Sequence, residues 1–257
     1  MASRRTKQAV YGVAYLIVFI GIIAGVYFAF IRKAPSCFDN IQNQGEAGID
    51  CGGPCAKVCI PAGTDGLITD NVSVFIPNPG YYTFLAQIEN HNTGFAAGYF
   101  DYSFDLYDAS GTLLQSFPDH SFVYAGEVKY LLLANVAETT TVDHAVLAAK
   151  NPDWVTASAM GLAPRFGNPL PVTGSEMSSS TITVMGRLTN GEVASFSHVL
   201  IVAIFYSVAG EPVGASQTVI DTIAPNQTVD FSVMYPATPG VTIEPALTKM
   251  FAYALRS

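Results

Sequence analysis

Hydrophobic residues follow two patterns along this chain. Across residues 10–31 no charge interrupts them, and beyond Pro61 they alternate with polar residues. The unbroken run predicts a helix: its 22 residues rise roughly 33 Å, enough for a hydrocarbon core of about 30 Å. Arg4, Arg5 and Lys7 precede the run, and Arg32 and Lys33 follow it. A cleaved signal has an apolar stretch of only about 7–15 residues and ends in a small-x-small site. Here Ile31-Arg32-Lys33-Ala34-Pro35-Ser36 follows instead, so the expectation is an uncleaved anchor at 10–31 behind a short stub at 1–9.

The alternating part predicts strands. Phe100, Tyr102, Phe104 and Leu106 fall on one face of a strand, with Asp101, Ser103 and Asp105 on the other. That is the pattern of a strand buried on one side. Tyr82, Phe84, Ala86 and Ile88 alternate in the same way, as do Ile182, Val184, Gly186 and Leu188. Residues 108–111 and 207–210, each ending in Gly, read as hairpin turns.

The alternation repeats at a nearly constant distance. Leu85 to Asn90 lies over Met185 to Asn190 at an offset of 100, and Leu106 to Gly111 lies over Phe205 to Gly210 at 99. Ala125, Gly126 and Glu127 align with Ala224, Pro225 and Asn226, again at 99, and Tyr130 and Leu132 with Val229 and Phe231. A period near 100 residues indicates tandem domains rather than solenoid turns. Short strands with regular turns and no helical period make each copy an antiparallel β-sandwich. Residues 62–160 and 161–257 are the two expected domains. At the offset of 99 the polar face Asp101, Ser103 and Asp105 becomes Leu200, Val202 and Ile204. The second copy is thus apolar on both faces of this strand. Either the first sandwich or a loop covers that face, or it is an exposed interaction face for a partner.

Charge adds an orientation. Five of the 12 basic residues lie at or before Lys33, whereas all 20 acidic residues lie beyond it. The flank margin of three basic residues against two, with the amino terminus on the larger side, favours an inner N-terminus. An acidic body with no basic stripe excludes nucleic acid as a partner.

Between anchor and sandwiches lies a cysteine-rich neck, residues 34–61. Cys37, Cys51, Cys55 and Cys59 are all of the cysteines, and Gly52-Gly53-Pro54 forces a tight turn among them. Their clustering in a loop-rich segment predicts two disulfides and an oxidising compartment, which places the body outside the cell membrane. Four cysteines allow three pairings, with little room for a Cys51–Cys55 bond. A four-thiolate zinc site suits a reducing compartment better. The alternative for the neck is calcium, since Asp39, Asn43, Glu46 and Asp50 recur as hard oxygen donors through a glycine-kinked loop. It is not an EF-hand, because Ile41 stands where an oxygen ligand belongs.

Two resemblances bear on this layout. Asn43, Gly45, Glu46, Ile49, Asp50, Cys51, Gly52, Gly53 and Cys55 resemble a cysteine motif of secreted and cell-surface microbial proteins, which implies a surface location and no chemistry. Phe104, Leu106, Tyr107 and Asp108, with Asn90, Gly111 and residues 125–127, resemble the FxLYD-type immunoglobulin-like sandwich. The second copy carries a degenerate version at residues 203–207. That resemblance implies an extracytoplasmic domain for structure or interaction, with no catalytic residues.

The remaining polar residues form no catalytic constellation. His91, His120, His144 and His198 are scattered without ligand spacing, and structural or surface roles account for them. Asp101, Asp105 and Asp108 suggest paired carboxylates, but a solvated strand face explains them. Trp154 reads as core, and Asn71 and Asn226 begin glycosylation sequons. No nucleophile elbow, zinc-protease helix or phosphate loop is present. The chain is therefore expected to be an all-β body of two tandem immunoglobulin-like antiparallel β-sandwiches, preceded by one transmembrane helix and a disulfide-rich neck. Its expected role is non-enzymatic and cofactor-free: a membrane-anchored structural or interaction module contacting another envelope protein. The alternative is an extracellular module that binds or senses a ligand or carbohydrate.

Overall fold

The computed structural model describes residues 4–28, 36–238 and 240–256. The chain divides into two compact units between Cys59 and Ile60. In the first unit, helix α1 spans Arg4–Val26. It begins six residues before the apolar run, because the Ala, Arg, Lys and Gln of the stub are good helix formers with no breaker among them. Lys7–Val26 is long and apolar enough to cross a membrane, and protein covers none of it. The expected helix end at Ile31, the basic pair Arg32 and Lys33, and Ala34 lie outside the described residues.

The neck closes on two disulfides, Cys37–Cys55 and Cys51–Cys59. Gly53 has a left-handed φ of 59°. A Cβ there would stand 2.3 Å from the Gly45 carbonyl oxygen, so the turn admits only glycine.

The second unit is all antiparallel strand. Its first half contains β1 (Ile68–Thr69), β2 (Ser73–Asn78), β3 (Tyr81–Glu89), β4 (Phe95–Tyr107), β5 (Leu113–Val123), β6 (Val128–Ala137) and β7 (His144–Thr156). Strand β3 pairs with β1 and β2 and with β6, while β4 pairs with β5 and β7. The two sheets close on a core that includes Phe84, Ile88, Phe100, Phe104, Leu106 and Trp154. A short helix, α2 (Ala157–Met160), follows.

The second half contains β8 (Val172–Met177), β9 (Thr181–Thr189), β10 (Phe196–Tyr206), β11 (Pro212–Ile223), β12 (Thr228–Pro236) and β13 (Lys249–Tyr253). The order β12-β9-β8 faces β11-β10-β13, the same plan as β6-β3-β2 facing β5-β4-β7. Both halves are immunoglobulin-like sandwiches of two small sheets. Val184, Leu188, Val199, Ile201, Phe205 and Val233 sit in the second core.

The structure corrects the alignment at one turn. The turn before β6 holds Gly126 at φ 69°, and the turn before β12 holds Asn226 at φ 57°. Tyr124 N–H donates to Glu127 Oε2 and Ala224 N–H to Gln227 Oε1. The offset here is 100 rather than 99, because β11 is one residue longer than β5. Lys129 and Leu131, not Tyr130 and Leu132, therefore match Val229 and Phe231. A one-residue slip exchanges the faces of a strand, and Tyr130 and Leu132 point away from the first core.

Where they point is the second sandwich. Phe75, Leu85, Tyr130 and Leu132 on the outer side of β2, β3 and β6 pack against Leu200, Val202, Ile204, Ala215, Phe251 and Tyr253. The proposed interaction face is thus in contact with the first sandwich. Val202 is 0% exposed and Ile204 2%. Polar bonds tie the same contact. Tyr253 Oη accepts from Tyr130 N–H at 3.1 Å. Tyr124 Oη donates to the Ala254 carbonyl at 3.2 Å and accepts from Arg256 N–H at 2.8 Å. Thr238 Oγ1 donates to the Pro77 carbonyl.

Candidate functional site in the cleft between the sandwiches

Beside this contact the two sandwiches leave a cleft of about 520 Å³, within the range of small-molecule sites. Tyr99, Phe122 and Lys129 of the first sandwich and His198, Gln217 and Tyr253 of the second are among its walls. Strand β6 carries Lys129 inward at the sandwich edge, where its neighbour on β3 is Ile88. The side chain is 2% exposed. Its ammonium donates to the Phe122 carbonyl at 3.0 Å and stands 3.4 Å from the centre of the Phe122 ring. The Tyr253 ring centre lies 5.5 Å away.

Among the described residues no carboxylate reaches this ammonium within ion-pair distance. Burial lowers the Lys129 amine to about 8, an effect Glu127 partly opposes. Glu127 is itself raised by burial, its carboxylate being occupied with the Tyr124 amide. Sequence reasoning passed over Lys129. The signal that finds it is a lysine at a position where the second copy has Val229.

The rim is polar. Tyr99 stacks on His120 at 5.4 Å and donates to Asp101 Oδ1 at 2.7 Å. Tyr102 donates to Asp119 Oδ2 at 3.0 Å, and burial followed by that carboxylate's charge raises its phenol. His198 holds a left-handed φ of 54° at a break in the β10 ladder, where pairing skips from Ser197 to Val199. His120 and His198 thus come to one cleft. His91 and His144 sit elsewhere, each beside an adjacent acidic residue, Glu89 and Asp143.

Asp101, Ser103 and Asp105 lie on the outer face of β4, with Asp105 accepting from the Ser116 hydroxyl. Trp154 is buried in the first core, and Asn71 and Asn226 are exposed.

In the neck, the carboxylates of Asp39, Glu46 and Asp50 are spent on backbone amides rather than gathered on one point, and Asn43 donates its side-chain amide to Asp39 while its buried Oδ1 has no partner among the described residues. Glu46, 6% exposed, accepts from Asn43 N–H and Asp50 N–H. Asp50 accepts from Asp39 N–H and Asn40 N–H, and Asp39 accepts from the Asn43 side-chain amide and from Ser36 and Ile41 N–H. The Asn43 bond holds the Asp39 carboxyl below its ordinary value. Glu46 lies close to Cys37 and Cys55. Those two sulfurs are bonded to each other and offer no thiolate.

No protein-family model matches the chain, and no curated protein does. Among solved structures the chain is similar to red sea bream transglutaminase at 8% identity, covering 73% of this chain and 32% of that one. It therefore spans about a third of that structure's length. With a TM-score of 0.22, the likeness is too slight to bear on fold or activity.

Proposed function

We propose that this is a non-enzymatic, single-pass membrane-anchored protein of the cell envelope, with its N-terminus cytoplasmic and its repeated sandwiches outside, and that it binds a ligand in the cleft between them. The observation that carries the reading is Lys129. A buried ammonium without a counter-ion lowers stability, yet it stands in the wall of a concave site built jointly by both sandwiches. Of the apolar face that otherwise recommended protein capture, Val202 and Ile204 are buried against the first sandwich, and the half-buried Leu200 lines the cleft. The helix supports the anchor, and the disulfides support an oxidising compartment.

A structural or protein-interaction role remains the second reading, favoured by the open acidic face of β4 with Asp101 and Asp105. Photo-crosslinking residues placed singly at Gln217 in the cleft and Ser103 on that face separate the two in the cell's own membranes. Adducts from Gln217 alone support ligand binding in the cleft, and protein adducts from Ser103 alone support the second reading. Silence at both positions removes both.

A further inference from the structure

The chemistry of the cleft specifies the class of ligand. Its floor is apolar, with Leu131, Leu200 and Leu255 among its walls, and its one buried cation is Lys129 among the described residues. The ammonium makes one hydrogen bond, to the Phe122 carbonyl, and is otherwise held against aromatic rings. A carbonyl and ring faces offset part of the desolvation of a buried ammonium, whereas an anion supplies a full opposite charge. Asp119 is engaged with Tyr102 and His120 at the rim. Glu127 is engaged with the Tyr124 amide. The position opposite Leu188 in the second copy is Val229, so the sandwich itself does not require a lysine there.

We propose that the cleft binds a small amphipathic monocarboxylate, its carboxylate paired with the Lys129 ammonium and its aliphatic or aromatic body laid along Leu131, Leu200 and Leu255. This rests on the cleft being the binding site. Charge complementarity chooses the head group, and the apolar walls choose the body.

The test uses the full chain in lipid nanodiscs, with empty nanodiscs as the reference. Binding of 3-phenylpropionate and of its uncharged isostere 3-phenylpropanamide is followed by saturation-transfer NMR. The acid is expected to bind saturably and about tenfold or more tighter than the amide, as a charge-assisted bond in a desolvated site requires. In Lys129→Met the preference disappears, while the unfolding transition shows the variant folded. Equal binding of acid and amide, or a preference that survives Lys129→Met, overturns the proposal but leaves the cleft as a site. Absence of saturable binding by either compound also overturns it. Continued adducts from Gln217 then keep the cleft, and their absence removes that as well.

Discussion

Lys129 and Val229 occupy the same place in the two sandwiches, Lys129 opposite Ile88 on β3 and Val229 opposite Leu188 on β9. One copy fills the position with a methyl-bearing side chain and the other with a buried amine.

Replacing Lys129 by Met should therefore stabilise the protein at neutral pH. Moving the amine from 10.5 to about 8 corresponds to roughly 3 kcal/mol, an upper value because the bond to the Phe122 carbonyl is lost with the charge. The folded-state value is depressed, so between about 8 and 10.5 the unfolded chain holds more protons. Wild-type stability rises with pH across that window and is lost again as pH falls through 8. The advantage of Lys129→Met should accordingly be largest near pH 7 and shrink toward pH 10. Urea unfolding at both pH values checks this.

Val202→Asp should break the contact between the sandwiches. It places a charge at a fully buried site against Phe75, Leu85 and Leu132, a loss of roughly 3 kcal/mol or more. Ile201 and Ala203, which face the second core, are untouched. Calorimetry should show one transition becoming two. Ser103→Asp, on the open face of β4, should shift stability by less than about 0.5 kcal/mol.

Asn190→Ala should lower stability by roughly 2–3 kcal/mol. The side chain is 0% exposed; its amide reaches the Ala194, Ile223 and Ala224 carbonyls, and its oxygen accepts from Glu192 N–H. Asn90 does the same for Phe95, Tyr124 and Asn92, so Asn90→Ala should have a similar effect. Shifts in the urea midpoint measure both.

Alkylation without reductant should label no cysteine, as read by intact mass. Reduction should open the neck alone. The Cys37–Cys55 bond closes 18 residues, which corresponds to about 3 kcal/mol of chain entropy. Limited proteolysis after reduction should cut within residues 36–59 while the part beyond Ile60 resists.

Much of the fold was legible in the sequence because strand alternation is a local signal. Phe100, Tyr102, Phe104 and Leu106 face the core as their spacing implies, and helix α1 covers the apolar run as far as Val26. The doubly apolar strand β10 was legible too, since Leu200, Val202 and Ile204 interrupt the polar set. What covers it was not legible, because Phe75, Leu85, Tyr130 and Leu132 come from three strands and meet only after folding. The offset of 99 at residue 126 hid them further, because it sets Tyr130 and Leu132 over Val229 and Phe231 instead of Lys129 and Leu131. Lys129 was obscured by the same slip, and a cleft with walls from both sandwiches leaves no contiguous motif to read.

The contact between the sandwiches joins unlike surfaces: the outer side of β2, β3 and β6 in one meets the outer side of β10, β11 and β13 in the other. Head-to-tail joints of this kind propagate into filaments when every unit carries both surfaces. Here neither unit does. The β4 face of the first sandwich carries Asp101 and Asp105, and the β9 and β12 face of the second carries the exposed Arg187–Asp230 pair. The two surfaces that meet in this joint are thus used up within a single chain. Making Asp101, Ser103 and Asp105 aliphatic would not be enough for a fibre, because the complementary β2, β3 and β6 face is already occupied within the chain; the Arg187–Asp230 face would have to become apolar as well.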